Sequence, residues 1–247
     1  MTDPVIIAGF HRSGTSAVAR TVHAAGLDLG ADLLGADSAN PYGHFEDQAV
    51  IEMHDTILES GGLTWKSTER LGDRTHALPE ISKYVTKRQQ ATSQPWGLKD
   101  PRVSLFLDEW LTMAPDAQLL FVIRPPGPAV ASLHRRHIRR FIDTAGIDPS
   151  DLAFRRDPDL GLKLWCHYHE QALPALTRHS ATTVVNYARP DQLDETLHGL
   201  CVELGLTPDP HVRLDATLGQ RETTWIHDPL LHDRVRSLWS ELTALIN

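Results

Sequence analysis

At 247 residues, with 41% hydrophobic and 23% charged side chains, the chain has an ordinary globular composition and enough length to bury a sizeable core. A formal net charge of −8 argues against a general nucleic-acid binder, because affinity for a polyanion comes mainly from neutralising many phosphates; any anion site has to be local. Cys166 and Cys201 provide no disulfide framework, no apolar run approaches the length of a transmembrane helix, and VIIAGF lacks the basic flank of a signal peptide, so a soluble, cytoplasmic protein is expected.

No linker, repeat or low-complexity tract divides the sequence, and residues 1–247 are expected to form one domain. In chain order, PVIIAGF (4–10) reads as a strand buried on both faces and runs into a helical stretch near 15–26. Helical periods near 47–60 and 79–93 precede the strand PWGLKD (95–100) and a helix near 101–113. AQLLFVIR (117–124) is a third strand, followed by helices near 127–143 and 159–179. ATTVVNY (181–187) is a fourth strand, with helices near 190–205 and 229–246 closing the chain. Strands alternating with helices predict an α/β fold with a central parallel sheet flanked by helices. Ligands in such folds bind beyond the carboxyl ends of the strands.

GFHRSGTS (9–16) lies between the first strand and the first helix, where a phosphate-binding P-loop belongs. Gly9 and Gly14 let backbone N–H groups converge on an anion, and the positive end of the following helix adds to that site. Ser13, Thr15 and Ser16 supply hydroxyls. Thr15 stands where the lysine of a nucleotide triphosphatase belongs, and the nearest cation, Arg12, lies inside the loop. The third strand ends not on a magnesium-binding aspartate but on Arg124, which favours a second, direct anion contact. This pattern points to a donor with two separated anionic groups and no metal requirement.

These residues resemble the sulfotransferases that use 3'-phosphoadenosine 5'-phosphosulfate (PAPS). GFHRSGTS is similar to their 5'-phosphosulfate loop in its bacterial and Golgi-type form, where arginine replaces lysine. RPPGPAVAS (124–132) is similar to their 3'-phosphate motif, with Arg124 and Ser132 at the family spacing. NPYGHFED (40–47) resembles the NPxGxFE element and GLKDPR (97–102) the KDPR element. VVNYARP resembles the strand-end segment whose tyrosine, here Tyr187, lies near the adenosine. The family's final RKG element is absent as such, and Arg221 in GQRETT is the nearest counterpart.

The resemblance implies a P-loop-like sulfotransferase fold and transfer of a sulfuryl group from PAPS to a hydroxyl of a carbohydrate, glycolipid or other small metabolite. The product would be adenosine 3',5'-bisphosphate (PAP). Arg12, Ser13, Gly14, Thr15 and Ser16 are expected at the 5'-phosphosulfate; Arg124, Ser132 and Arg221 at the 3'-phosphate; Tyr187 at the adenosine. Arg12 and Lys99 are expected to offset departing charge, with Asp100 and Arg102 orienting Lys99 and one another. Glu46 is the first choice of base and His44 its rival, since a partly desolvated glutamate can be tuned towards the working pH and a histidine needs no tuning. Asp47 suits either a base or a helix cap.

Three other signals have plainer readings. HRRHIRR (134–140), the densest basic run, suits a nucleic-acid or membrane contact but reads better as a solvated helix face that lends an arginine to the 3'-phosphate. His167 and His169, in CHYHE, point to different helix faces and do not suit a zinc site. Trp65 is either an acceptor-binding aromatic or a core residue. Two other functions fit the loop: a small-molecule P-loop kinase, which needs magnesium and ATP, and a non-catalytic module that binds PAP.

Overall fold

The computed structural model describes residues 3–37, 40–143, 152–212, 214 and 228–246. Its centre is a parallel sheet of β1 (Val5–Gly9), β2 (Gly97–Lys99), β3 (Gln118–Ile123) and β4 (Thr182–Asn186), in the order β2-β1-β3-β4. β1 registers Val5 against both Gly97 and Gln118, and β3 registers Leu119 against Thr182. The four predicted strands therefore exist and pair in parallel, giving the expected α/β architecture. The chain passes from β1 to β2 on one side and then to β3 on the other, so the strand order reverses between β1 and β3. A crevice opens at such a reversal.

Alternating side chains sort the sheet into two cores. Ile6, Ala8, Leu119, Phe121 and Ile123 pack with α2 (Gln48–Ser60), α3 (Ala77–Ala91), α4 (Leu107–Met113), α5 (Pro126–Asp143), α7 (Leu160–Arg178) and α9 (Pro229–Ala244). Val5, Ile7, Leu120 and Val122 pack against α1 (Thr15–Ala24) and α8 (Pro190–Glu203). Among the described residues, no helix is long and apolar enough to cross a membrane.

The expected helix over 101–113 is two elements, a 3-10 turn (Pro101–Leu105) and α4. The Asp100 carboxylate accepts from Arg102 N at 2.7 Å and starts the tight turn at Pro101. Phe106, at φ −126°, interrupts it before α4 begins. The sequence pattern also missed α6 (Ala153–Arg156), a single turn too short to carry a helical period. α7 runs through Pro174.

Candidate active site

Each strand delivers one part of the site at its carboxyl end. β1 runs into 9–16, whose curvature is set by left-handed backbone at Arg12 (φ 64°) and Gly14 (φ 95°). A turn from Ser13 N to Phe10 O at 3.1 Å closes the loop. Gly14 caps α1, accepting from Ala17 N and Val18 N, so the amides ahead of these stand at the open end of the helix. No Cβ fits at Gly14, where it would lie 2.2 Å from Cδ2 of the Tyr187 ring. The Ser13 hydroxyl is buried and has no hydrogen-bond partner among the described residues. A buried donor left this way is costly, and an anion in the loop is a partner of the right chemistry.

Arg12 reaches from the loop to α5, where its Nε donates to Ser132 Oγ at 3.0 Å. Arg124, after β3, donates from a terminal nitrogen to the Arg12 carbonyl at 2.8 Å. Arg12, Arg124 and Ser132 are thus held together across the β1–β3 crevice, and Ser132 keeps its hydroxyl proton for a ligand. The Arg124 guanidinium lies 5.7 Å from the Tyr187 ring, just past β4. Burial, helped by Arg136 and Arg124, pulls Arg12 down to about 10, which leaves it a cation at neutral pH.

Lys99, at the end of β2, is buried. Its Nζ donates to Ser16 Oγ at 3.0 Å, to His44 O at 3.1 Å and to Glu46 Oε1 at 2.5 Å. The segment that supplies His44 and Glu46 is clasped in antiparallel fashion to residues 32–34: Leu34 N to Glu46 O is 2.7 Å, His44 N to Leu34 O is 3.2 Å, and Gln48 N to Asp32 O is 2.9 Å. Gly43 (φ 97°) and Phe45 (φ 58°) bend that segment so the His44 carbonyl and the Glu46 carboxylate converge on one ammonium. A left-handed phenylalanine is strained by roughly 1–3 kcal/mol, a cost typical of functional segments. His44 Nε2 lies 3.2 Å from Asp37. Burial keeps His44 below its usual imidazole value, against the opposing influence of Glu46.

Asp100 and Arg102 orient one another as expected but do not touch the Lys99 ammonium. Arg102 pairs with Asp100 at 2.8 Å and Asp55 at 3.0 Å. His54, behind them, lies 3.5 Å from Asp100 and accepts the Trp110 indole N–H at 2.9 Å. Burial pushes the Asp100 carboxyl up, but Arg102 and His54 more than offset this and hold it well below the usual carboxylate range. This network fixes the backbone that carries Lys99. Asp47 is a helix cap: its Oδ1 accepts from Ala49 N at 3.0 Å, and its Oδ2 accepts from the Tyr84 hydroxyl at 3.0 Å.

The parts meet in one cavity of about 480 Å³, lined by Arg12, Gly14, Thr15, Ser16, His44, Glu46, Lys99, Arg124, Ser132 and Tyr187. Of the expected site residues, Ser13 sits just behind its wall and Arg221 lies outside the described residues. Sequence reasoning missed His11, Arg20, Tyr42, Arg135, Arg136 and Arg139 on the same wall. The basic run is largely the solvated face expected, with Arg135, Ile138, Arg139 and Arg140 exposed, but Arg135, Arg136 and Arg139 also line the cavity, and His137 is buried against Trp65 and Phe154. Their spacing of three, four and seven residues from Ser132, one helix face, was the available signal.

Trp65 also has a definite place. Its ring lies 4.4 Å from the His11 ring, and its carbonyl accepts from the Tyr168 hydroxyl at 3.0 Å. Tyr168 in turn accepts from His11 Nε2 at 3.2 Å, a polarity that leaves Nδ1 as the proton-free nitrogen. His169 is buried on the Trp165 ring, with Nδ1 on the Trp165 carbonyl at 2.7 Å. A second cavity, of about 420 Å³, lies near the amino ends of the strands beside Gln118 and Glu203, where no cations converge.

The fold recurs in solved structures. The sulfotransferase domain of the curacin biosynthetic pathway superposes with a TM-score of 0.55 at 12% identity, over 98% of each chain. The chain has the sulfotransferase fold. A sulfotransferase from Mycobacterium avium matches with a TM-score of 0.51 at 14% identity, over 96% of this chain and 68% of that one. The sulfotransferase domain of the Synechococcus PCC 7002 olefin synthase matches at 0.50 and 16% identity, over 98% and 93%. No protein-family model matches the chain, and no curated protein is significantly similar to it in sequence.

Proposed function

We propose that residues 1–247 act as one PAPS-dependent sulfotransferase domain that transfers a sulfuryl group to a hydroxyl of a small molecule, with carbohydrates, glycolipids and hydroxylated metabolites as the acceptor classes. The observation that carries this reading is the convergence of the 9–16 loop, the Arg124–Ser132 pair and the buried Lys99–Glu46 pair on one cavity within a sulfotransferase fold. The orphaned Ser13 hydroxyl and the cationic wall suit a donor with anions at both ends.

PAPS supplies the sulfuryl group, and sulfur passes from the phosphate oxygen to the acceptor oxygen. The loop amides, Ser13 and Arg12 hold the phosphosulfate end, while Arg124 and Ser132 hold the 3'-phosphate beside Tyr187. Arg12 and Lys99 offset the charge that collects on the departing phosphate oxygen. Glu46 keeps Oε1 on Lys99 and takes the acceptor's proton on Oε2. As proton moves to Glu46, the Lys99 ammonium is released towards the new anion, so one pair serves both ends of the transfer. His44, uncharged at neutral pH and oriented by Asp37, is the alternative base. Acceptor-dependent release of PAP from PAPS tests the reading. Normal PAP binding with no sulfated product from any hydroxyl acceptor would instead favour a module that binds PAP without turnover.

A further inference from the structure

Seven lysine and arginine side chains line the cavity, against the single carboxylate of Glu46. In a chain of net charge −8 this is a local inversion of sign that the protein itself does not neutralise. A donor with anions at two ends accounts for part of it. Arg12 and Lys99 stand at the loop end, and Arg124 at the other with Arg135, whose charge acts on both Arg124 and Arg12.

Arg136 is different. Successive residues on a helix point about 100° apart, so Arg136 turns away from Arg135 along the cavity wall. It is half-buried, and among the described residues it has no hydrogen-bond or ion-pair partner. Its charge reaches His44, the rival base on the proposed acceptor side, as well as the donor-side Arg12. After burial, which is the largest influence on each, Arg136 also lowers His11, Arg12 and His44. The carboxylates nearby are already engaged, Asp37 with His44 and Glu46 with Lys99. Arg20, also on the cavity wall, has its guanidinium 4.3 Å from the centre of the Tyr42 ring. Among the described residues, the one carboxylate its charge is seen to act on, Asp37, is held by His44 and makes no ion pair with it, so this half-buried guanidinium is an anion site completed by a ligand.

We infer that Arg136 binds an anionic group of the acceptor, so that the substrate is a hydroxylated molecule that also carries a carboxylate or a phosphate ester. The inference rests on the sulfotransfer reading and deepens it. The acidic group docks on the guanidinium in the fork geometry that carboxylate and phosphate share. The hydroxyl then faces Glu46 and Lys99 across the same cavity.

The test is calorimetric, with the PAP complex of the full chain titrated with three sugars of one ring: glucose, glucuronate and glucose 6-phosphate. Glucuronate or glucose 6-phosphate should bind at least tenfold more tightly than glucose, and whichever leads identifies the source of the anion. Arg136→Ala should bring that ratio close to one, and Arg136→Glu should invert it, while PAP affinity stays within threefold of wild type. Equal binding of all three sugars, or binding of none, overturns the inference. So does a loss of PAP affinity in Arg136→Ala as large as in Arg124→Ala, because Arg136 would then serve the donor. Failure of PAP to bind the wild-type chain refutes the sulfotransfer reading itself, an outcome distinct from normal PAP binding without acidic preference.

Discussion

Lys99→Met removes the cation from the buried pair while retaining most of the side-chain volume. Lys99 is 1% exposed and the Glu46 side chain 10%, so the substitution strands a carboxylate that water reaches poorly. It also removes the donor from Ser16 Oγ and His44 O. Breaking a buried pair from one side costs about 3–5 kcal/mol. Because Glu46 borders the cavity and can take some water, a loss of about 3 kcal/mol is expected, a large share of the ~5–15 kcal/mol typical of a folded domain. Urea unfolding of wild type, Lys99→Met, Glu46→Gln and the double variant measures it. The double variant should be about 1–2 kcal/mol more stable than Lys99→Met alone, a non-additive cycle of the kind expected for residues in direct contact. A Lys99→Met protein within about 1 kcal/mol of wild type, or effects that simply add, would refute the claim that this pair is coupled and buried.

Four further outcomes follow from the geometry. Arg124→Ala should weaken PAP binding roughly 10- to 100-fold, the size of a lost charge-assisted contact, and unchanged affinity would remove its 3'-phosphate role. Gly14→Ala puts a Cβ 2.2 Å from the Tyr187 ring on left-handed backbone; the conformation alone costs about 1–2 kcal/mol, so a lower melting temperature and more than tenfold weaker PAP binding are expected. Glu46→Gln should depress turnover roughly 100-fold or more with PAP affinity little changed, and full turnover would move the base to His44. Burial holds His169 at about 4. Below the ordinary histidine value the unfolded chain takes up a proton that the folded chain refuses, so stability should fall as pH drops from about 6.5 to 4, by up to ~1.4 kcal/mol per pH unit. His169→Phe should flatten that limb, and an unchanged slope would show that another group sets it.

The strands were legible because each is a short apolar run flanked by turn residues, and their carboxyl ends carry the informative residues in the order of the sequence. The loop at 9–16 was legible for the same reason, since its glycines, hydroxyls and Arg12 are contiguous. The Lys99–Glu46 pair was not, because it joins residues far apart in sequence that meet only when β2 lies beside β1 and the 43–46 bend turns inward. Local pattern equally hid the break at Phe106, where Asp100 capping wins over helical period. The basic run is largely exposed, as its charge suggested, but its spacing from Ser132 also puts three arginines on the cavity wall, more than charge alone revealed. Arg221 falls outside the described residues, so its expected 3'-phosphate contact has no structural counterpart here.

Titration of the chain with PAP in the presence of a chelator, beside a titration with ATP and magnesium, tests the central claim most directly because it needs no acceptor. Metal-independent PAP binding in the micromolar range, lost in Arg124→Ala, is the predicted result. Preference for magnesium-ATP over PAP would contradict it, and Arg12 in GFHRSGTS would then serve a kinase's triphosphate.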